Sequence, residues 1–350
     1  MKFISTVACL QSTSYFIIGV KEMFDMKLTR RNFVKLAGIT GFAGVIASIT
    51  GCIDSPNNAK ADKLPPADKA TVYFSKTIDA EHLIALYNKI NLEITGRVAI
   101  KLHTGEPNGP NILPRDMVQD FQAQIPNSAI VEANTLYGGA RSTTERHRRT
   151  LEGNGWTFCP VDILDEEGDT YFPVKDAFHL KEVAMGSHLT NYDSLIALTH
   201  FKGHAMGGFG GSLKNIAIGC ASGKVGKRQI HGDDWIMGDV LLERMADSGK
   251  AICDHFGKHI VFINVLQRLS IDCDCAGAGA VAPELPDLGI LASTDILAVD
   301  QAAVDMIYNF PGNEKNSLIE RIESRSGLRQ LSAMAQHHMG TSDYELITID

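Results

Sequence analysis

The sequence predicts an α/β fold with a mostly parallel sheet and helices on both of its faces. Two observations support this fold class. Short runs of β-branched and apolar residues alternate along the chain with amphipathic stretches of helical period. No internal repeat or low-complexity tract interrupts that alternation after residue 70. At 350 residues, the chain is long enough for one large core or for two closely packed lobes.

The elements follow one another in a regular order. A strand at 71–74 leads into a helix that Asp79 caps, and the apolar face of this helix is formed by Leu83, Leu86, Tyr87 and Ile90. Further strands are expected at 97–102, 129–133, 195–199, 259–266, 288–291 and 344–349. Further helices are expected at 116–125, at 143–154, from Ser212 onward, and at 233–256, 298–308, 315–324 and 327–338. Asp295 is expected to cap the helix at 298–308.

The first 52 residues have the pattern of an export signal. TRRNFVK at 29–35 carries paired arginines, and an uncharged stretch at 36–50 ends at Gly51-Cys52. At about fifteen residues, this stretch is too short to span a hydrocarbon core of about 30 Å. The arginine pair indicates twin-arginine export, and residues 49–52 resemble a lipobox that would make Cys52 a lipid-modified N-terminus. The alternative is an N-terminal helix with a chance arginine pair. We therefore expect an exported, lipid-anchored protein that faces the periplasm or the cell exterior.

The rest of the chain divides into a tether and a folded body. Residues 53–70 are rich in Pro, Asn, Asp and Lys and are expected to form a flexible tether. The body then covers 71–350. The formal net charge is −8 and no basic block is present, so we expect no nucleic-acid partner.

Four segments that follow predicted strands are the expected places for chemistry: 101–111, 136–149, 200–215 and 270–279. Ligands of open parallel sheets bind in the crevice outside the carboxyl ends of the strands. The first segment contains Lys101, His103 and Glu106. The second offers Arg141, whose guanidinium can form a fork to a carboxylate or phosphate, with a surface position before a capped helix as the alternative.

The segment 200–215 contains a glycine-rich loop, HFKGHAMGGFGGSLKN. It is not a P-loop, because Gly211 is followed by Ser-Leu-Lys-Asn, and it is not a dinucleotide fingerprint, because residue 213 is leucine. Glycines before a helix still let backbone N–H groups approach an anion closely. We predict a cofactor- or anion-binding loop, with a plain glycine turn as the alternative, formed by Gly208, Gly210, Gly211, Lys214 and Asn215.

Histidines and a cysteine pair are the candidate acid–base groups and metal ligands. His200 and His204 follow the strand at 195–199, and His231 follows Lys214 further along the chain. Cys273 and Cys275 could bind a soft or borderline metal. No CxxC pair and no CxxCxxC run of the iron–sulfur kind is present in the sequence. A buried thiol pair or a disulfide is the alternative for the two cysteines.

Several blocks of the chain resemble the domain-of-unknown-function 362 (DUF362) family. In order, these blocks are KLHTGEPNGPNILP, YGGARSTTERHRRTLEGNGW, THFKGHAMGGFGGSLKNIAIGCASGKVGKRQIH, FINVLQRLSIDCDC and DLGILASTDILAVDQAAVD. The resemblance covers roughly 71–310 and implies that 71–350 is a DUF362-like domain. It also implies a link to iron–sulfur centres, although the ferredoxin-like module of many members is not present in this sequence.

A second and more distant resemblance is to the nickel-pincer lactate racemase family. It rests on the order His204, GFGG, Lys214, Gly219, His231 and on Arg141-x-x-Thr144-Glu145. The resemblance implies a lysine that holds a cofactor at Lys214 and a nickel ligand at His231. Ala140 stands where that family has a catalytic histidine, so the resemblance does not extend to a two-base racemase reaction.

These observations predict an exported, membrane-anchored protein whose cleft binds a metal or cofactor and binds or acts on a small anionic ligand. The expected catalytic or ligand-holding residues are Lys101, Arg141, His204 and Lys214. A metal (Ni, Fe or Zn) or an iron–sulfur centre is expected at His231, Cys273 and Cys275. The expected partners are a small anion, the membrane and the twin-arginine export machinery. The alternative is a non-catalytic lipoprotein that binds a metal or an iron–sulfur centre, or transfers electrons to a partner.

Overall fold

An eight-stranded sheet lies at the centre of the fold. The computed structural model describes residues 69–350, so the predicted signal region, Cys52 and residues 53–68 of the predicted tether lie outside the described residues. The sheet strands are β1 (Ala70–Ser75), β2 (Val98–Lys101), β3 (Ser128–Glu132), β4 (Val161–Ile163), β7 (Ser194–His200), β10 (Ile260–Leu266), β11 (Gly289–Ser293) and β12 (Tyr344–Thr348). Their order across the sheet is β12-β1-β11-β10-β7-β2-β3-β4. Among these strands only β11 runs antiparallel to its neighbours, so the predicted mostly parallel α/β fold is confirmed.

Two antiparallel hairpins lie outside the main sheet. One pairs β5 (Asp169–Pro173) with β6 (Glu182–Gly186), and the other pairs β8 (Lys202–His204) with β9 (Gly208–Gly210). The second hairpin begins two residues after β7 and carries part of the glycine-rich loop. It therefore extends the sheet's carboxyl edge into the region where the sequence predicts the site.

Helices cover both faces of the sheet, as predicted. They are α1 (Ala80–Ile90), α2 (Arg115–Ala123), α3 (Thr144–Gly153), α4 (Ser212–Gly219), α5 (Gly226–His231), α6 (Asp239–Phe256), α7 (Ile296–Asn309), α8 (Asn316–Ser324) and α9 (Arg329–Gln336). Apolar residues of α1, α2 and α3 form one core with the first face of the sheet, and those of α4 to α9 form a second core on the other face. In β7, Ile196 and Leu198 point to the first core while Leu195 and Ala197 point to the second, as the two-residue period of a strand requires.

Side-chain caps and apolar faces explain where the helices begin and how they pack. The carboxylate of Asp79 accepts a hydrogen bond from the His82 backbone N–H at 2.9 Å, and Asp295 does the same for Ala298 at 2.8 Å. Such a cap stabilises a helix by about 1 kcal/mol. Both caps were predicted from the sequence, and the predicted apolar face of α1 is buried. Burial of each large apolar side chain adds roughly 1.5–3 kcal/mol.

Two sequence predictions need correction. The helix predicted at 233–256 begins only at Asp239, because Gly232, Trp235 and Gly238 have positive φ values of 70°, 51° and 73° that interrupt a helix. The short elements β4, β5, β6, β8, β9 and α5 were not predicted, since runs of three to six residues carry too little periodicity to read. Within residues 69–350, no helix combines the length and the hydropathy needed to cross a membrane.

Candidate functional site

A cavity of about 340 Å³ opens where the parallel strands end. Lys101 and Glu132, the last residues of β2 and β3, line it, together with residues that follow β7 and β10. This is the crevice position expected for a parallel sheet. The sequence-predicted residues that line the cavity are Lys101, His103, Arg141, His204, Lys214, Asn215, His231, Cys273 and Cys275.

Glu132 neutralises the cations on one wall of the cavity. One carboxylate oxygen accepts a hydrogen bond from Arg141 Nη1 at 2.8 Å, and the other accepts one from the Thr104 backbone N–H at 3.0 Å and lies 3.6 Å from Lys101 Nζ. Burial opposes ionisation of Glu132, but Lys101 and Arg141 outweigh it and hold its pKa well below the usual value. Glu132 is therefore a buried, ionised carboxylate. We call Glu132, Lys101, Arg141 and Glu106 the Glu132 network.

Every nitrogen of the Arg141 guanidinium has an internal partner. Nε donates to Glu106 Oε1 at 2.9 Å, Nη1 donates to Glu132, and Nη2 donates to the Tyr137 hydroxyl at 3.0 Å. The Tyr137 hydroxyl in turn donates to Glu106 Oε1 at 2.8 Å. Arg141 thus lies at the cavity as predicted, but its fork is directed at protein carboxylates rather than left open for a ligand.

Lys101 is also fully engaged, and it joins β2 to α4. Its side chain is 2% exposed, and Nζ donates to the Leu102 carbonyl at 2.9 Å and to Asn215 Oδ1 at 3.1 Å. Asn215 Nδ2 returns a hydrogen bond to the Lys101 carbonyl at 3.0 Å. A Cβ at Gly219 would lie 2.2 Å from Lys101 Cε, so glycine is required where the lysine passes under the helix. Lys101 and Asn215 therefore hold the wall of the cavity together.

The N-terminus of α4, where the sequence predicts an anion, is occupied by a buried side chain. The Asp300 carboxylate accepts hydrogen bonds from the backbone N–H groups of Ser212 at 2.7 Å and Leu213 at 3.0 Å. A Cβ at Gly211 would lie 2.5 Å from Asp300 Oδ1, which explains the glycine there. The loop glycines Gly208, Gly210 and Gly211 do not line the 340 Å³ cavity. Ligand binding by these glycines stays a prediction.

Lys214, in the first turn of α4, is a cation of the cavity that lacks a partner. Within the described part of the chain, its ammonium makes no hydrogen bond and no ion pair. Burial, with the positive charges of Lys202 and Lys101 adding to it, lowers the pKa of Lys214 to about 7. At neutral pH this side chain is therefore divided between the ammonium and the neutral amine.

His103 and His204 each keep one N–H donor that has no acceptor among residues 69–350. His204 Nδ1 accepts hydrogen bonds from the backbone N–H groups of Gly207 at 2.9 Å and Met206 at 3.3 Å, and His103 Nδ1 accepts one from Gly105 at 3.0 Å. Burial and nearby cations hold the pKa of both imidazoles well below the usual value, so both are neutral. A neutral imidazole whose Nδ1 accepts carries its proton on Nε2. Both rings are therefore hydrogen-bond donors beside the cavity.

His231 closes the cavity on the side of α5. Its Nδ1 is buried without a hydrogen-bond partner among the described residues, and its ring centroid lies 5.0 Å from that of Trp235. Burial, followed by the charges of Lys214 and Lys227, lowers the pKa of His231 to about 4. His231 is therefore neutral, and Nδ1 is an unused polar atom.

Cys273 and Cys275 form a disulfide on the cavity wall. One ring nitrogen of His204 and the two sulfur atoms lie within 4.8 Å of one another, so these three residues are a group that could hold a metal ion. His231, which the sequence also predicts as a metal ligand, is not in this group. Metals bind thiolates rather than the sulfurs of a disulfide, so the two cysteines fit a metal only after reduction.

Asp274, between the two cysteines, fixes the neighbouring charges. Its carboxylate lies 2.8 Å from Lys202 Nζ and 2.9 Å from His200 Nδ1. Burial opposes its ionisation, but His200 and Lys202 outweigh burial and hold the pKa of Asp274 well below the usual value. His200 Nε2 lies 2.6 Å from the Gln267 carbonyl, so both nitrogens of this ring are engaged. His200 thus supports the loop and does not line the 340 Å³ cavity.

A family model, "Domain of unknown function (DUF362)", matches residues 98–305, which is more than half of the chain. The chain belongs to the DUF362 family. The matched segment runs from β2 into α7 and contains every residue that lines the cavity. No curated protein matches the chain.

Among solved structures, this DUF362 chain is similar to the lactate racemase apoprotein from Thermoanaerobacterium thermosaccharolyticum. The TM-score is 0.40 at 13% sequence identity, and the match covers 70% of this chain and 58% of that one. The chain thus spans less than two thirds of the racemase chain. A likeness of this size supports no conclusion about the site or the reaction.

Several residues that shape the DUF362 cavity were not singled out from the sequence. Glu132 ends an otherwise apolar strand, and a carboxylate inside such a run was the signal that could have identified it. Asp274 was noticed only as part of the cysteine segment, and Lys202 and Lys227 were not noticed at all. Both lysines are buried, and Lys227 Nζ donates to the Ala221 carbonyl at 2.7 Å. Nothing in the local sequence distinguishes them from surface lysines.

Proposed function

We propose that the protein binds a small anionic ligand in this cavity, with Lys214 as its principal contact. The observation that carries the proposal is the pairing of the charges. Lys101 and Arg141 are held by Glu132, Lys202 is held by Asp274, and Lys227 donates to the Ala221 carbonyl. Lys214 has neither a counterion nor a hydrogen bond among the described residues. An unpaired cation in a partly buried position lowers stability, so a bound anion would supply the missing partner.

The remaining groups of the cavity support an anion rather than a cation. Four cations line it, against two carboxylates, Glu132 and Asp272. Glu132 is already neutralised, and Asp272 lies 3.2 Å from Arg321. The Nε2–H groups of His103 and His204 add two neutral donors, which suit a carboxylate or phosphate oxygen. A ligand of this class would be held by one charge and two hydrogen bonds.

Binding should be coupled to proton uptake at Lys214. Its pKa of about 7 reflects burial and repulsion, and an anion beside it would favour the charged form. Near pH 7, each bound anion should bring about half a proton with it, and the number should approach one at higher pH while the site still binds. Titration calorimetry in buffers of different ionisation enthalpy measures this uptake.

Thermal-shift and calorimetric titrations test the proposal. Inorganic phosphate and short 2-hydroxy acids should raise the melting temperature, since a ligand at a hundred times its Kd stabilises by about 2.7 kcal/mol. Lys214→Met should abolish both the shift and the proton uptake. Lys224→Met removes an exposed lysine outside the cavity and should leave both intact. Equal shifts in the wild type and Lys214→Met would refute Lys214 as the contact.

Export and membrane anchoring belong to the same proposal. The twin-arginine pattern at 29–35 and the lipobox ending at Cys52 support a lipid-anchored protein outside the cytoplasm. Cys52→Ser should move the protein from the membrane fraction to the soluble exported fraction. Arg30→Lys together with Arg31→Lys should retain it inside the cell. Unchanged fractionation of both variants would contradict this part of the proposal.

A metal-binding or electron-transfer lipoprotein is the second candidate, because His204, Cys273 and Cys275 lie within 4.8 Å. Two observations weigh against it. The sulfurs are paired with each other, and His204 Nδ1 accepts two backbone hydrogen bonds, which leaves the proton on Nε2 rather than a lone pair for a metal. Elemental analysis of anaerobically purified, reduced protein decides: one equivalent of Ni, Fe or Zn would favour the second candidate.

A further inference from the structure

The Cys273–Cys275 disulfide has little to contribute as a structural crosslink. The two cysteines are separated by two positions in the sequence. A crosslink stabilises a fold mainly by restricting the unfolded chain, and that restriction grows with the length of the closed loop. The loop closed here is among the shortest that two cysteines can form. Its placement on the wall of a cavity therefore calls for another explanation.

The two sulfurs differ in their surroundings. Cys275 is partly exposed, whereas Cys273 is 8% exposed. Cys273 also lines a second small cavity of about 30 Å³, together with Lys202 and Lys214. A ring nitrogen of His204 lies within 4.8 Å of both sulfurs. Cations and N–H donors near a sulfur stabilise its thiolate, so the protein favours Cys273 as the sulfur that accepts negative charge.

We propose that Cys273–Cys275 is a redox-active disulfide that accepts two electrons from small anionic thiols bound in the cavity. The preference for anionic thiols rests on the proposed function, because it uses the same unpaired Lys214. The redox activity itself does not depend on that function, because it follows from the position and surroundings of the two sulfurs.

The exchange can be written as two balanced displacements. A donor thiolate attacks Cys275 Sγ, the bond between the two protein sulfurs breaks, and Cys273 leaves as a thiolate beside Lys202 and Lys214. A second donor thiolate then attacks the donor's sulfur in the mixed disulfide and releases Cys275 as a thiolate. Two donor thiolates are thereby oxidised to one small disulfide, and the protein disulfide is reduced to two thiolates, which take protons from solvent according to their pKa.

The other described cysteines should not compete in this reaction. Burial raises the pKa of Cys159, raises that of Cys220 to about 11 and raises that of Cys253 to about 12. Their thiolates are therefore scarce at neutral pH. Within residues 69–350, cysteine exchange should be confined to Cys273 and Cys275.

Thiols of different charge test the proposal on the full chain. Oxidised protein is mixed anaerobically with mercaptoacetate (anionic), 2-mercaptoethanol (neutral) or cysteamine (cationic) at equal thiolate concentration. Alkylation and peptide mass mapping then report the rate at which Cys273 and Cys275 become free. We expect mercaptoacetate to react at least tenfold faster than cysteamine. Lys214→Met should remove most of this ratio, and Lys224→Met, at an exposed lysine outside the cavity, should preserve it.

Each outcome separates the two proposals. If none of the thiols reduces the disulfide while phosphate still stabilises the protein, the redox proposal is wrong and the anion site stands. Reduction at equal rates by all three thiols would overturn the proposed preference for anionic thiols. It would also count against the anion site. If the reduced protein captures one equivalent of zinc through His204 and then resists reoxidation by a small disulfide, the cysteines form a metal site and the exchange proposal fails.

Discussion

The two sides of the cavity carry similar positive charges, but only one side neutralises them with carboxylates of the protein. In the Glu132 network, the side-chain nitrogens of Lys101 and Arg141 all donate to carboxylate, carbonyl or hydroxyl oxygens. On the opposite side, Lys214 has no counterion among the described residues, and His231 Nδ1 is unpaired. The first side is built as a folded core would be, and the second is incomplete by itself. The anion proposed above would supply the partner that Lys214 lacks.

The largest loss of stability should come from neutralising Glu132, the carboxylate at the centre of the Glu132 network. Glu132→Gln leaves Lys101 and Arg141 buried with less compensation, and breaking a buried ion pair in this way costs about 3–5 kcal/mol. Urea denaturation at pH 7 should show this loss. Because the pKa of Glu132 is lowered, its contribution is present above the ordinary value of 4.5 and is lost as the pH falls, so the wild type and the variant should converge in acid.

Glu166→Gln is the matched control for this change. Glu166 is an exposed glutamate that pairs with Arg148. Exposed ion pairs contribute about 0–1 kcal/mol, so this variant should unfold close to the wild type. Equal losses from both glutamate variants would contradict the special role of Glu132.

The free energy of unfolding should change in opposite directions when Lys101 and Lys214, which lie on the two sides of the cavity, are replaced. Lys101→Met deprives Asn215 and Glu132 of a donor and should lower the free energy of unfolding by about 2 kcal/mol. Lys214→Met removes an unpaired charge and should raise it by about 1–2 kcal/mol at pH 7, with allowance for the partial exposure of this side chain. Denaturation of both variants in urea, without added anions, measures the difference in sign.

The pH dependence of the same experiment checks the cause. The folded state lowers the pKa of Lys214 from 10.5 to about 7, so between these values the unfolded chain binds more protons. Wild-type stability should therefore rise with pH across that window relative to Lys214→Met. A stabilising effect of Lys214→Met that is the same at pH 6 and pH 10 would show that charge is not the reason.

The last prediction is that two histidines of the cavity keep the same protonation state when the pH changes. His103 and His204 should remain neutral and Nε2-protonated through the range around pH 6.5 in which an ordinary imidazole titrates, since burial holds the pKa of both well below that value. Their ring nitrogens, observed by long-range ¹H–¹⁵N NMR, should not titrate. His188 is the internal control, because Asp162 and Glu167 raise its pKa against the effect of burial, and it should titrate above 6.5. Titration of His204 within that range would remove it as a neutral donor.

The sequence predicted which residues meet at one cavity better than it predicted how their charges pair. Parallel strands bring their carboxyl ends to one edge, so the residues after β2, β7 and β10 could be expected to meet, and Lys101, His204 and Cys273 do line one cavity. Which cations pair with which carboxylates could not be predicted in the same way. Which cation is neutralised depends on Glu132 and Asp274, whose side chains approach the lysines only through the register of neighbouring strands and loops.

The glycine loop illustrates the same limit. Its composition fits an anion-binding turn, and its proximity to a helix start was predicted correctly. The Asp300 carboxylate that occupies the helix N-terminus comes from α7, far along the chain. A distant residue can satisfy a local motif, and local spacing does not reveal it.

The position of β1 sets the order in which the chain can fold. β1 lies between β11 and β12, and the hydrogen bond from the Ser293 hydroxyl to the Thr71 carbonyl spans 222 residues. A ribosome adding about 5–20 residues per second needs roughly 10–40 s to make its first partner, and longer to make its second. β1 therefore waits unpaired through most of synthesis, and chains truncated before β12 would expose β1, instead of β12, at the edge of the sheet.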